Sequence, residues 1–304
     1  MKHWIQAARL RTLPLSVSGI IVGSAYAYYQ GFSDWRIVVL ALLTTLGLQV
    51  LSNYANDYGD GVKGTDANRI GEKRLVAAGI ITAEQMKKAV IITAIFTFII
   101  ALLLIYVAFG KENFVLSLIF ILLGIGSIGA AIKYTVGKSA YGYSGFGDLF
   151  VFIFFGLVSV IGSNFLFTHF IDWKLFLPAA AIGLLSVAVL NLNNMRDIEN
   201  DKIAGKNTLV VKLGSDKAKI YHYFLIISAT LLFIISEIIM NLQELLGILC
   251  IILFTNHIFF VKKTNNPKEF DSQLKIVALG TFIISLFFLI NVVFLTNWIK
   301  NTFN

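Results

Sequence analysis

The fold is decided by residues 39–66, in which the apolar segment VLALLTTLGLQVLS leads directly into NYANDYGDGVKGTD. The first half carries no charged residue and has the composition of a helix that crosses a bilayer. The second half places three aspartates, Asp57, Asp60 and Asp66, and two asparagines at the end of that helix. Carboxylates at a membrane edge are costly unless a cation neutralises them, so the cluster indicates a functional site.

The remainder of the chain is equally apolar. Of 304 residues, 57% are hydrophobic and 14% are charged, and the mean hydropathy is +0.79. A soluble domain uses about 25% charged residues. The composition therefore predicts an all-α, polytopic membrane protein, because lipid leaves no partner for unpaired backbone groups. A single cysteine, Cys250, excludes a disulfide framework, and the four histidines lack the spacing of metal ligands.

Nine apolar segments, each close to the roughly 20 residues of a transmembrane helix, are present. The predicted spans are 13–30, 37–56, 86–108, 114–132, 148–168, 175–194, 220–240, 244–261 and 276–297. Every Lys and Arg except Arg36, Lys111, Lys174 and Lys300 lies in the N-terminal segment, in a loop after an even-numbered span or, for Lys87 and Lys88, in the first residues of the span that follows such a loop. The positive-inside rule then predicts a cytoplasmic N-terminus. The net charge of +8 follows this asymmetry, so it does not indicate a nucleic-acid partner.

A second acidic cluster, NNMRDIENDKIAGK at 193–206, follows the sixth predicted span. In both clusters an asparagine precedes an aspartate by four residues, which places the two on one helical face, and another aspartate comes after them. The members are Asn53, Asp57 and Asp60 in the first motif and Asn193, Asp197 and Asp201 in the second. The similarity predicts a pseudo-repeat, with motifs at 53–66 and 193–206, inside a single domain spanning 1–304.

Carboxylate and amide oxygens suit Mg²⁺, which typically takes one or two protein carboxylates together with substrate phosphates. Two such clusters facing one cavity therefore predict Mg²⁺ ions that hold a diphosphate. Basic side chains near the clusters would take the remaining phosphate charge. The candidates are Lys63, Lys73, Arg74, Lys133, Lys138, Arg196 and Lys206. The alternative is that these acidic residues are only solvated helix caps.

A third polar segment, KYTVGKSAYGYSGFGD at 133–148, is rich in tyrosine and glycine. Tyrosines are common at membrane interfaces, and glycines permit tight turns. The segment is compatible with an interfacial aromatic belt and also with a wall for an aromatic substrate.

These three segments, with WIQAARLRTLPLS at 4–16, resemble the UbiA superfamily of intramembrane aromatic prenyltransferases, and within it the menaquinone-pathway branch. The resemblance implies nine transmembrane helices around a central cavity, with the aspartate motifs at its cytoplasmic end. It implies transfer of a polyprenyl group from an allylic polyprenyl diphosphate to 1,4-dihydroxy-2-naphthoate, with loss of CO₂ and diphosphate, giving demethylmenaquinone. Two Mg²⁺ ions would bridge the diphosphate.

The resemblance also implies roles for particular residues. Metal ligands would be Asn53, Asp57, Asp60, Asp66, Asn193, Asp197 and Asp201, of which Asp57, Asp60, Asp197 and Asp201 would be catalytic. Diphosphate would contact Asn53, Lys63, Lys73, Arg74, Arg196 and Lys206. The acceptor candidates by position are Arg9, Arg11, Tyr134, Lys138 and Tyr143. Leu10, Glu72, Lys138 and Ala140 stand where the branch commonly has other residues, mostly prolines, and none of them is a proposed metal ligand.

The expected location is the cytoplasmic (inner) cell membrane, with the active site facing the cytoplasm and lipid around the helices. The sequence indicates no obligatory protein partner. Two alternatives stay open. One is a related prenyltransferase with another acceptor, such as 4-hydroxybenzoate or homogentisate. The other is a transporter, which would move a substrate without consuming diphosphate.

Overall fold

The computed structural model describes residues 2–65, 74–137, 140–242 and 245–303, with side chains as far as residue 296. Within these ranges the chain is helical and contains no strand. The helices are α1 (Lys2–Ala8), α2 (Leu13–Tyr29), α3 (Trp35–Lys63), α4 (Ala83–Phe109), α5 (Phe114–Lys133), α6 (Gly147–Val151), α7 (Ser163–Thr168), α8 (Phe176–Arg196), α9 (Ile198–Ile203), α10 (Leu209–Leu213), α11 (Ser215–Met240), α12 (Leu246–Lys263) and α13 (Phe270–Phe303). A π-helical segment, Phe152–Gly162, joins α6 to α7 without a break.

Eight helical stretches in the described ranges are long and apolar enough to cross a membrane, and they correspond to the second to ninth predicted spans. The all-α membrane class is therefore confirmed. The first predicted span forms α2, a helix of 17 residues with Pro14 in its first turn. Proline is tolerated there because the first turn has no intrahelical partner for its N–H. Helix α2 packs against α13, α3 and the π-helical segment.

Helix α3 extends seven residues past the predicted end of its span, so the first aspartate motif is itself helical as far as Lys63. Asp34 starts the helix by accepting a hydrogen bond from the backbone N–H of Arg36. Gly64 ends it with a φ of 69°, a left-handed conformation that glycine adopts without strain. The carboxylates of this motif are consequently carried on a rigid element, whereas α8 ends at Arg196 and the second motif continues into the short helix α9.

Small residues let the helices beside the central cavity cross closely. A Cβ atom on Gly156 would lie 2.6 Å from the carbonyl oxygen of Ala179, and one on Gly23 would lie 2.2 Å from that of Val160. Close approach through small residues is the usual way that helices associate in lipid. Helix α2, the π-helical segment and α8 therefore form one tightly packed wall. On the other side of the cavity, none of the 20 residues of α5 is buried.

Glu237, near the end of α11, is buried and holds the beginning of α12. Its Oε1 accepts hydrogen bonds from the backbone N–H groups of Leu245 (2.9 Å) and Leu246 (2.6 Å), and its Oε2 accepts one from Gly247 (3.1 Å). The first N–H groups of a helix lack intrahelical partners, and the positive end of the helix dipole favours an anion there. Glu237 is thus a structural cap.

Replacing Glu237 with glutamine should destabilise the protein, because the amide removes the charge and turns one of the two acceptor oxygens into a donor. We expect the free energy of unfolding to fall by about 1–3 kcal/mol, seen as a lower melting temperature in detergent. Glu84→Gln removes only an exposed pair with Lys88 and should change stability by less than about 1 kcal/mol. Equal melting temperatures for the two variants would contradict the capping role.

Candidate active site

A cavity of about 430 Å³ opens among α2, α3, α4, α5, the π-helical segment, α8 and α13. On α3 alone its wall runs from Ala41 to Asp60, a rise of about 28 Å at 1.5 Å per residue. Apolar side chains such as Leu104, Phe120 and Leu166 line one part, and residues of both aspartate motifs line the other. The arrangement provides a long apolar pocket with a polar end.

The first motif presents Asn53, Asn56 and Asp60 to the cavity. The spacing of three and four residues places these side chains on one face of α3. The Nδ2 group of Asn53 donates to the carbonyl oxygen of Ala8 (2.8 Å) and to Oγ1 of Thr12 (3.2 Å). Asn53 therefore anchors the N-terminal segment against the motif.

Asp57 lies on an adjacent face of α3 and does not belong to the cavity wall formed by the described residues. Each carboxylate oxygen accepts a 3.0 Å hydrogen bond from a backbone N–H, Oδ2 from Leu75 and Oδ1 from Val76. In this conformation Asp57 holds the chain that carries Arg74. Its expected role as a metal ligand stays a prediction.

Asp60 is the centre of the polar end. It is 1% exposed, and its Oδ1 accepts a hydrogen bond of 2.5 Å from the hydroxyl of Tyr143. Arg74 lies 3.3 Å from Oδ2, and the Nζ of Lys206 lies 3.2 Å from Oδ1. Lys206 also lies 3.8 Å from Asp201. One ammonium group thus contacts both aspartate motifs.

Asp197 of the second motif is held by the residue before it. The guanidinium of Arg196 donates from Nε (2.9 Å) and Nη2 (2.8 Å) to the two carboxylate oxygens of Asp197. The same guanidinium contacts Asn193 and Asp271, and its side chain has no exposed surface. Asn193, Asp197 and Asp201 line the cavity, whereas Arg196 does not. The structure therefore places Arg196 behind Asp197, and its expected contact with diphosphate stays a prediction.

Lys63 is turned away from the cavity as well. Its Nζ donates to the carbonyl oxygen of Thr135 (2.8 Å) and lies 4.0 Å from the centre of the Tyr143 ring. The two motifs are joined nearby, because the Nδ2 group of Asn200 donates to the carbonyl oxygen of Thr65 (2.8 Å). Lys63 and Tyr143 thus help to hold the polar end together, and their expected roles in binding diphosphate and acceptor stay predictions.

An aromatic wall adjoins the polar end. Tyr134 packs edge-on against Tyr141 with ring centres 5.3 Å apart, and Tyr141 stacks on Phe150 at 4.0 Å. All three residues line the cavity. Burial, reinforced by the nearby charge of Asp148, raises the pKa of the Tyr134 phenol well above its ordinary value. Tyr134 therefore stays protonated near neutral pH and is available as a hydrogen-bond donor.

The N-terminal arginines reach the cavity from α1 and the turn after it. Arg9 adopts a left-handed backbone conformation with a φ of 52°, which is uncommon for a residue other than glycine. Arg11 lies 3.3 Å from Asp271 at the start of α13. Both arginines line the cavity, a position compatible with the expected role in binding the acceptor. Asp66, Lys73 and Lys138 lie outside the described residues.

Sequence reasoning missed three residues that the structure brings to the site. Asn56 and Tyr141 lie inside two of the polar segments, and the spacing of three from Asn53 would have found Asn56. Asp271 had no signal, since it is 75 positions from Arg196 and precedes an apolar span. Across the described chain, no three His, Cys, Asp or Glu side chains converge on one point as a ready-made metal cage.

Comparison with known proteins places this site in a family. The model of the UbiA prenyltransferase family matches residues 16–279. The chain belongs to the UbiA prenyltransferase family. It is 42% identical to the 1,4-dihydroxy-2-naphthoate octaprenyltransferases of Haemophilus influenzae and Escherichia coli. These matches cover 95% and 97% of this chain and 94% and 96% of those proteins.

Solved structures of UbiA homologues share the fold. The homologue from Aeropyrum pernix aligns with a TM-score of 0.66 at 16% identity over 91% of this chain and 99% of its own. The homologue from Archaeoglobus fulgidus bound to GPP and Mg²⁺ aligns with a TM-score of 0.66 at 14% identity, over 94% and 99%. The helical arrangement of this UbiA protein is thereby confirmed by proteins of distant sequence.

The different contacts of Asp57 and Asp201 in this UbiA protein predict different losses. Asp57→Asn leaves one acceptor oxygen for two backbone amides, so it should lower the free energy of unfolding by about 1–3 kcal/mol. Asp201→Asn removes charge at the cavity and should weaken binding of Mg²⁺ with pyrophosphate, and it should lower the melting temperature less than Asp57→Asn does, because Lys206 keeps its shorter contact with Asp60. Melting curves and calorimetric titrations in detergent measure both quantities. A stable Asp57→Asn protein would show that the contact with the segment after residue 73 is dispensable.

Proposed function

We propose that this protein transfers a polyprenyl group from an allylic polyprenyl diphosphate to 1,4-dihydroxy-2-naphthoate, releasing diphosphate and CO₂. Two lines of support meet. Relatives at 42% identity over nearly their whole length carry the name of this activity. The cavity offers a charged end for a diphosphate and a long apolar part for an isoprenoid chain.

The observation that carries the proposal is the meeting of the two aspartate motifs at the polar end. Asp60, Asp197 and Asp201 are each 5% exposed or less and line one cavity, and Lys206 contacts two of them. Buried carboxylates on separate helices need cations to offset their charge. Arg74 and Lys206 line the cavity and supply part of that charge, and we infer that they contact the phosphate oxygens.

The oxygen ligands of the cavity fit Mg²⁺ when substrate phosphates supply the remaining ligands. Asp60, Asp197 and Asp201 line the cavity with carboxylate oxygens, and the described side chains form no cage of three carboxylates beforehand. Mg²⁺ is commonly held by one or two carboxylates while substrate phosphates complete its shell. We infer two ions, one at each motif. The metal, when bound, acts as a Lewis acid that neutralises the leaving diphosphate.

The residues around the allylic carbon would control its fate once diphosphate has left. The faces of Tyr134, Tyr141 and Phe150 offer electron density to a developing allylic cation and exclude water that would quench it. The acceptor carbon that bears the carboxylate would attack this cation, and departure of CO₂ would restore the aromatic ring. Protonated Tyr134 is suited to donate a hydrogen bond to an acceptor oxygen, with Arg9 and Arg11 facing the acceptor carboxylate.

We infer further that α2 is a ninth membrane span, which gives a cytoplasmic N-terminus and places the polar end at the cytoplasmic face of the cell membrane. Support comes from the 17-residue length of α2 and its packing among longer spans, since about 17 residues are enough to span a bilayer. The positions of Lys and Arg give the orientation. On this view the chain is one domain in lipid that needs no protein partner.

A transporter is less well supported. Alternating access requires polar groups that bind substrate near the middle of the membrane. Glu237, the main acidic residue near a span interior, lies towards the end of α11 and is engaged as the cap of α12. The acidic residues of the cavity lie instead at its polar end.

The reaction can be tested directly with the purified protein, octaprenyl diphosphate and 1,4-dihydroxy-2-naphthoate in detergent. We expect prenylated product, diphosphate and CO₂ in equal amounts with Mg²⁺, and none of them with EDTA. Product with 4-hydroxybenzoate or homogentisate, but not with the naphthoate, would refute the proposed acceptor and leave the proposed prenyl transfer standing. Failure to release diphosphate with any acceptor would refute the proposal that the protein is a prenyltransferase.

The orientation is tested by labelling single cysteines in a Cys250→Ala background. Lys202→Cys lies near the second motif and Lys111→Cys lies between α4 and α5. In intact cells a membrane-impermeant maleimide should label the position 111 variant and spare the position 202 variant. The reverse pattern would place the active site on the outside, and labelling of both only after lysis would refute the assigned topology.

A further inference from the structure

Asp271, in the first turn of α13, is shared by two arginines that come from distant parts of the chain. Its Oδ1 accepts a hydrogen bond from Nη1 of Arg196 (2.5 Å), and its Oδ2 accepts one from Nη1 of Arg11 (3.3 Å). Asp271 does not line the cavity, although Leu274, Lys275 and Ala278 of the same helix do. It therefore lies behind the site and can act on it only through its partners.

Arg196 is the partner that transmits this contact to the site. Its Nε and Nη2 hold both oxygens of Asp197, and Nη2 also donates to Asn193 at 2.7 Å. A guanidinium is planar, so fixing Nη1 on Asp271 fixes the orientation of the opposite fork as well. Asp197 lines the cavity at the proposed metal site. The direction of its carboxylate thus depends on a residue from a different helix, far away in the sequence.

Exposure distinguishes the two ion pairs that Asp271 forms, one with Arg11 and one with Arg196. The side chain of Asp271 is 40% exposed and that of Arg11 is 36% exposed. Pairs exposed to this degree contribute at most about 1 kcal/mol to stability. Arg196, in contrast, has no exposed surface. Without Asp271 its Nη1 would be a buried donor lacking this partner, and the fork on Asp197 could turn.

We propose that Asp271 is a positioning residue for the metal and diphosphate end of the cavity, acting through Arg196 on Asp197. This inference rests on the proposed function. A partner that orients a metal ligand typically affects metal affinity or activity by about 10–100-fold when it is changed. Arg11 shares Asp271 but lies outside this route, so its own contribution concerns the acceptor.

The test is direct binding of Mn²⁺ with inorganic pyrophosphate to the full-length protein in detergent, monitored by electron paramagnetic resonance. Asp271→Asn should weaken binding about 10–100-fold, and Asp271→Glu should restore most of it. Glu199→Gln is the matched control, because Glu199 is exposed near the second motif and forms an exposed pair with Lys202. This control should bind as the unchanged protein does. Arg11→Gln, which removes the other partner of Asp271, should weaken Mn²⁺ binding less than Asp271→Asn does.

Wild-type binding by Asp271→Asn would overturn the proposal. An effect of Arg11→Gln as large as that of Asp271→Asn would also overturn it, since the route would then run through Arg11. If Asp271→Asn does not fold, Arg196→Lys decides, because lysine keeps the charge but loses the fork that holds Asp197: folded protein with weak Mn²⁺ binding supports positioning, and wild-type binding contradicts it. Normal Mn²⁺ and pyrophosphate binding by the unchanged protein without prenyl transfer would refute the proposed function alone.

Discussion

The structure depends on cationic side chains that offset the charge of carboxylates buried at the ends of membrane helices. Asp60, Asp197 and Asp201 are each 5% exposed or less, and an uncompensated buried charge costs several kcal/mol. Arg196 holds Asp197, and Lys206 contacts both Asp60 and Asp201. These contacts fix the end of α3 against the α8–α9 junction. The polar end of the cavity is therefore shaped by the same charged groups that are proposed to bind metal and diphosphate.

The segments over the polar end of the cavity are short and cannot bury much apolar surface. They are held instead by hydrogen bonds between side chains and backbone groups. Asn53 donates to the carbonyl oxygen of Ala8, Asn200 donates to that of Thr65, and both oxygens of Asp57 accept backbone amides. Such bonds satisfy polar backbone that would otherwise be left without partners. Asn53 and Asp57, which the sequence predicts to be metal ligands, thus also hold the segments at the polar end of the cavity.

Much of the fold could be predicted from the sequence, because apolar length and motif spacing depend on local chemistry. Eight of the predicted spans have the required length and apolarity, and both aspartate motifs line the cavity. The individual roles were harder to predict. The spacing of four residues predicted that Asp57 lies on the same face of α3 as Asn53. Successive residues of a helix are rotated by about 100°, and in the structure it is Asn56 that faces the cavity, while Asp57 accepts a hydrogen bond from a backbone segment. The position of Asp271 behind Arg196 is a tertiary contact that no local pattern encodes.

The polarity of the cavity constrains how a substrate can lie in it. Among the described residues, the charged groups of the lining lie at the end near Asp60, while the other end is lined by apolar side chains such as Leu104, Phe120 and Leu166, together with the uncharged Thr44 and Thr45 of α3. Placing a diphosphate among those apolar side chains would leave its charge without partners, which is very costly for an ionised group. The allylic carbon must then lie where the polar end meets the aromatic wall. Tyr134 and Tyr141 occupy that junction, and Tyr134 keeps its proton there. The chemistry is thereby confined to the place where charge is stabilised on one side and water is excluded on the other.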